Sequence, residues 1–145
     1  MAEQKKTGCC KSLIVTGCLT QRYQDEVKKE IPEVDAILGT NSYDSIVEAL
    51  EETLQHKFYK NFHTLSGLPQ LSTKRTVTTG GHYAYLKIAE GCNKNCTYCV
   101  IPSVRGRYRS VPMDELVTSA EELVAGGVKE LILVAQETTL YGVDL

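Results

Sequence analysis

The segment that most restricts the fold lies near the end of the sequence. There the apolar run Leu131-Ile132-Leu133-Val134-Ala135 follows an amphipathic stretch that closes at Gly126-Gly127. Within that stretch Met113, Leu116, Val117, Ala120, Leu123 and Val124 recur at helical spacing and form one apolar stripe. The run after it has no polar alternation, which predicts a strand buried on both faces of a sheet. A second apolar stretch, Tyr83 to Ala89, stands before the helix. Strand, helix and strand in that order make a βαβ unit with parallel strands. Ser110 is placed to cap the helix, with Pro112 in its first turn, where a missing N–H costs little.

The first third of the sequence has the same grammar. Lys11 to Gly17 predicts a short strand, and Tyr23 to Ile31 a helix stopped by Pro32. Val34 to Leu38 predicts a second strand, closed by Gly39. Thr40 or Asn41 can then cap a helix whose apolar positions are Ile46, Val47, Leu50 and Leu54. The expected fold class is therefore α/β. Residues 1–56 form the C-terminal half of a small doubly wound domain, and 82–145 begin a second domain with its first βαβ unit. Between them, 57–81 lose periodicity and carry Gly67, Pro69, Gly80 and Gly81, which predicts a linker with room for one extended piece. One βαβ unit cannot close a barrel and exposes an apolar edge. The sequence is thus expected to be an internal piece of a larger enzyme, inactive alone.

Composition bounds the function classes. Among 145 residues, 42% hydrophobic and 23% charged content describe a globular chain, and a formal charge of −2 gives no global reason to expect nucleic acid. The start of the sequence is polar and no apolar run approaches ~18 residues, which predicts neither signal peptide nor membrane span. Without a secretory context the six cysteines are expected to be reduced, in a cytoplasmic protein.

The chemistry is concentrated in Cys92-Asn93-Lys94-Asn95-Cys96-Thr97-Tyr98-Cys99. The spacing C-x3-C-x2-C offers three thiolates to a centre that needs four ligands, a set suited to an iron–sulfur cluster or to zinc. Structural zinc usually takes four protein ligands in two close pairs. Here the nearest further candidate is His82, across the strand and expected to point away. A cluster with three cysteine ligands leaves one iron open to an exogenous chelating ligand. A non-catalytic zinc-binding module stays as the alternative. From Cys92 to Met113 there is no Asp or Glu, whereas Lys94, Arg105, Arg107 and Arg109 are present, which predicts a positive patch beside the loop. A guanidinium fork can hold a carboxylate of cofactor or substrate. The plainer role for any one arginine is a surface charge or a partner of Glu121 or Glu122. No side chain stands out as a catalytic acid, base or nucleophile.

The cysteine motif, with Tyr98 before its last member, resembles the signature of radical S-adenosylmethionine enzymes. The longer strings YAYLKIAEGCNKNCTYCVIPSVRGRYRSVP, GGVKELILVAQETTLYGVDL and LIVTGCLTQRY are similar to three separated motifs of the methylthiotransferase family, in the same order. The resemblance covers roughly Lys11 to Leu145 and is weakest from His56 to Gly81. It implies that the second domain is a partial (β/α) barrel. It further implies that Cys92, Cys96 and Cys99 hold a [4Fe–4S] cluster with an open iron, where S-adenosylmethionine binds and is cleaved by one electron to a 5′-deoxyadenosyl radical. Tyr98 would lie near the adenine, and Gln136, Glu137 and Thr138 near the methionine end. Cys18 matches the third of three cysteines holding a second [4Fe–4S] cluster. The other two are expected before Met1, and Cys9 and Cys10 do not match them. On its own, Cys18 reads as a small core residue.

Two branches of the family differ after the second strand. The tRNA-modifying branch usually carries Gly-Gln-Asn. Ala135-Gln136-Glu137-Thr138-Thr139 with Tyr141-Gly142 resembles the branch that methylthiolates the β-carbon of an aspartate in a small-subunit ribosomal protein. That branch often has Asp where Glu137 stands. The implied partners are a small-subunit ribosomal protein and an electron donor such as a flavodoxin or ferredoxin, with tRNA adenosine as the alternative substrate.

Overall fold

The computed structural model describes residues 2–68 and 75–145, which fall into two compact units, Met1–Pro69 and Gln70–Leu145. The first unit runs α1 (Ala2–Thr7), β1 (Ile14–Thr16), α2 (Cys18–Tyr23), α3 (Asp25–Glu30) and β2 (Ala36–Leu38). A 3-10 turn at Tyr43–Ser45, α4 (Ile46–Leu54) and β3 (Tyr59–Asn61) complete it. The three strands form a parallel sheet in the order β1-β2-β3, with Thr16 opposite Leu38 and Leu38 opposite Asn61. All three therefore end level, and the loops after them leave from one edge. Side chains alternate across a strand, so β2 serves two cores. Ile37 packs with Val27 and Val34, backed by Leu13, Val15 and Phe62. Ala36 and Leu38 pack with Ala49 on the other side. Helices on both faces of a parallel sheet are the expected α/β layer.

Three expectations for this unit change. The segment read as linker from residue 57 contains β3, which pairs with β2 over Tyr59, Lys60 and Asn61. Its residues are partly exposed and mixed in polarity, so an edge strand fixed by backbone bonds leaves little apolar signal. Helix α4 starts at Ile46, after the 3-10 turn, and neither Thr40 nor Asn41 caps it. It also faces the sheet with its small residues. Ala49 and Thr53 are buried, whereas Ile46, Val47, Leu50 and Leu54 are exposed. Ser12 Oγ meets Thr53 Oγ1 at 2.7 Å, and the Thr53 hydroxyl donates to the Leu50 carbonyl.

The second unit runs β4 (Tyr83–Lys87), β5 (Ala89–Glu90), α5 (Ile101–Arg105), β6 (Arg109–Ser110), α6 (Met113–Ala125) and β7 (Glu130–Val134). β4 and β7 pair in parallel from Tyr83 opposite Glu130 to Lys87 opposite Val134, while β5 and β6 form a short antiparallel ribbon. The βαβ unit stands as expected, with α6 packing Leu123 against Ala84 and Val128, flanked by Val77 and Leu131. β7 is not buried on both faces, because β4 is its one neighbour among the described residues, and Leu133 is 56% exposed. Only part of the α6 stripe is covered: Leu116 and Leu123 are buried, and Met113, Val117 and Val124 are exposed. Ser110 does not cap α6. It belongs to β6, and Pro112 occupies the position before the helix with an extended backbone. Among the described residues no helix is long and apolar enough to cross a membrane.

Candidate functional site

Because β4 and β7 are parallel and in register, the segments that follow them leave the same edge of the sheet. After β4 come β5, Gly91 and the cysteine loop; after β7 come Ala135, Gln136, Glu137 and Thr138. The Gly91 N–H donates to Gln136 Oε1 at 2.9 Å, and the Lys94 ammonium pairs with the Glu137 carboxylate. Glu137 also accepts from the Thr139 N–H at 3.2 Å and from its hydroxyl. Gln136 and Glu137 thus meet the cysteine loop itself.

The other side of the loop rests on the turn before β6. Cys92 N–H donates to the Gly106 carbonyl at 3.2 Å, and Asn93 Oδ1 accepts the Tyr108 N–H at 3.0 Å. Gly91 passes so close to this turn that a Cβ there would lie 2.3 Å from the Arg107 carbonyl oxygen; its φ is +79°. Asp144 accepts the Ser110 N–H at 2.8 Å and the Ser110 hydroxyl at 2.6 Å, and Tyr141 donates to the Val111 carbonyl at 2.8 Å. The Ser110 hydroxyl, which lowers the Asp144 pKa, holds the far end of the β7 loop against β6.

The three thiols differ in exposure. Cys92 is buried, Cys99 half-buried and Cys96 exposed, and none of the six cysteines is in a disulfide. Cys99 N–H donates to the Cys96 carbonyl at 3.0 Å, and Lys94 N–H points to Cys92 Sγ at 3.4 Å. Among the described residues no three His, Cys, Asp or Glu side chains already converge as a metal-binding group. The donor set nonetheless fits a thiolate-bound cluster. Three free soft ligands lie on one loop without regular structure, and a cation sits beside two of them. The Lys94 pKa is raised, first by the hydrogen bond it donates to Glu137, with Cys92 and Cys96 adding to it. His82 precedes β4 and the cysteine loop follows it, so a five-residue strand separates them. This leaves His82 without a path to the loop as a fourth ligand.

The basic stretch does not present four free cations. Arg105 Nη1 lies 3.3 and 3.4 Å from the two oxygens of Glu90, and Lys87 pairs with the same carboxylate. Glu90 is fully buried at the end of β5. Arg109 donates to the Arg105 and Arg107 carbonyls, and burial lowers its pKa. Arg107 is exposed and has no ion-pair partner among the described residues. Tyr98 is 91% exposed. Thr138 accepts the Tyr141 N–H through its carbonyl in the turn beyond β7. In the first unit Cys18 opens α2, directly after β1 and Gly17. The residue that the sequence reading passed over is Glu90. A carboxylate ending an apolar strand beside a glycine was the available signal.

The Lys94 hydrogen bond, followed by those of Thr139, lowers the Glu137 pKa from 4.5 to about 2. A carboxylate depressed in the fold stabilises it above its unfolded pKa and loses that contribution as pH falls through the folded one. The pair is therefore expected to be intact at pH 4.5 and to weaken toward about 2. Carboxyl NMR of the intact protein should place the Glu137 midpoint near 2 and show it rise in Lys94→Met. A wild-type midpoint above about 4 would mean that the pair does not form.

The Radical SAM superfamily pattern matches residues 86–144. The chain is 59% identical over its whole length to the ribosomal protein uS12 methylthiotransferase RimO of Lachnoclostridium phytofermentans, of which it covers 33%. It is 49% identical over 99% of its length to the protein of the same name from Clostridioides difficile strain 630, covering 32%. A third, from Clostridium botulinum strain Hall, is 48% identical over the whole chain. The chain spans about a third of the length of the curated relatives it matches.

Proposed function

We propose that this chain belongs to the RimO-like radical S-adenosylmethionine methylthiotransferases and is the part of such an enzyme that carries its radical-generating loop. The activity assigned is transfer of a methylthio group to the β-carbon of an aspartate in ribosomal protein uS12, in the cytoplasm. The observation that supports it most is a loop of three free cysteines leaving the C-terminal edge of a parallel sheet, where sites of parallel α/β proteins lie. Identity to relatives named for that reaction favours it over tRNA adenosine or a zinc module. The first unit is read as the end of the family's N-terminal domain and the second as the start of the radical domain.

Cys92, Cys96 and Cys99 are assigned to hold a [4Fe–4S] cluster with an open iron. With S-adenosylmethionine, that group supplies one-electron reductive cleavage of the sulfonium. The chain's own residues orient and shield. Cys92, buried under the loop, anchors the tripod, and Tyr98, exposed beside Cys99, offers a flat apolar face for the adenine. Of the three arginines, Arg107 is the one available to an anionic ligand, because Arg105 and Arg109 are committed to Glu90 and to backbone carbonyls. Cys18 is assigned to a second cluster, and the electron donor is a small redox protein of the flavodoxin or ferredoxin kind.

The test uses the intact protein, reconstituted anaerobically with iron and sulfide. Cys96→Ala is expected to remove about four irons per chain and the spectral response to S-adenosylmethionine. Cys18→Ala should remove a separate set and leave that response. Incubated with uS12, the wild type should add a methylthio group to one aspartate. Modification of tRNA instead, or zinc in place of iron, would overturn the reading.

A further inference from the structure

The resemblance implies that Gln136 and Glu137 lie near the methionine end of the cofactor, and in the structure both side chains are turned to the cysteine loop. Gln136 Oε1 takes the N–H of Gly91, the residue before Cys92. Glu137 takes the ammonium of Lys94, two residues after Cys92. The two contacts bracket Cys92, the most buried of the three thiols, and they come from the segment after the neighbouring parallel strand. A loop without regular structure, held at two points on either side of one residue, has few ways to move that residue.

We infer that Gln136 and Glu137 are positioning residues: a two-point latch from the β7 loop that fixes the Cys92 thiol before any cluster is bound. This deepens the proposed function and rests on it only for what the thiol later holds. Lys94 gives the latch a second effect. Its charge is drawn to Glu137 while its backbone N–H points to Cys92 Sγ, so the same residue ties latch and ligand together. Cys96 and Cys99 lie beyond the bracket. Their freedom lets the tripod close around an incoming cluster while Cys92 stays fixed.

The experiment reads the thiols directly, in the intact protein without cluster, by timed iodoacetamide labelling resolved per cysteine by mass spectrometry. In the wild type Cys92 should label far more slowly than Cys96. Gln136→Leu is expected to raise the Cys92 rate about fivefold to tenfold, the factor set by losing one hydrogen bond from the closed loop. Glu137→Gln, which keeps shape and removes charge, should raise it less. Cys96 and Cys99 should change by less than about twofold, since they are outside the bracket. Once the protein is loaded, a chelator should draw iron faster from both variants. Unchanged Cys92 labelling in both variants would overturn the inference. So would equal acceleration at all three cysteines, or a changed response to S-adenosylmethionine with unchanged labelling, which would make Gln136 a direct cofactor contact. The labelling result stands whether or not iron is taken up, so failure of the latch and failure of the cluster reading are separable.

Discussion

Gly91→Ala is expected to destabilise the second unit by about 3–5 kcal/mol, in the upper range for a single substitution. Two costs combine. The backbone at Gly91 has a φ of +79°, which an L side chain adopts at a penalty of about 1–3 kcal/mol. The added Cβ would also meet the Arg107 carbonyl oxygen at 2.3 Å and the Gly106 carbonyl oxygen at 2.5 Å, both backbone atoms without a rotamer to change. Relief requires the cysteine loop to lift off the turn before β6. That movement breaks the Cys92 N–H bond to Gly106 and the Gly91 N–H bond to Gln136. Gly127→Ala is the internal control. Its φ is +95°, but nothing lies within 4 Å of its Cβ position, so only the conformational cost applies, about 1–3 kcal/mol. Denaturant midpoints of the two variants in the intact protein measure the difference. If Gly91→Ala is no worse than Gly127→Ala, the close approach is not what fixes the loop.

The same contact shows what could be read from residues alone. The strands β1, β2, β4 and β7 were legible because each holds a continuous apolar run. The cysteine loop was legible because thiol spacing is a local property. β3 was not, since Tyr59-Lys60-Asn61 at a sheet edge needs no apolar pattern to pair. The face of α4 was misread for a related reason. Large residues such as Val47 and Leu54 dominate an amphipathic stripe, but close approach to β2 is made by Ala49 and Thr53. Gln136 and Glu137 were expected near the cofactor, and the contacts they make in the structure, to Gly91 and Lys94, were not foreseen. Parallel strands in register bring the segments after them together, and that much follows from a βαβ unit. Which atoms then meet depends on β5, β6 and the turn at Gly106, a two-residue ribbon too short to leave a pattern.

Glu90 carries the second large effect. Its carboxylate is fully buried between the Lys87 ammonium and the Arg105 guanidinium, with the Gly91 N–H 3.2 Å from Oε1. Burying a charge is tolerable only where it is paired and hydrogen-bonded, and removing one member strands the others. Glu90→Ala is therefore expected to cost about 3 kcal/mol, at the low end for a broken buried pair because Lys87 and Arg105 keep some access to water. Glu90→Gln keeps the shape and an acceptor for Gly91, and should cost about half as much. Arg105→Met in the Glu90→Gln background separates the pair from its surroundings. If Arg105 serves mainly to neutralise Glu90, the two changes should be less than additive, with a coupling of about 1–3 kcal/mol. Additive effects would free Arg105 from that duty and return it to the list of groups that face an anionic ligand. Glu90 sits two residues before Cys92, at the point where β5 hands the chain to the cysteine loop. A carboxylate there fixes the direction in which the loop leaves the sheet, and Lys87 and Arg105 make that direction a property of the fold.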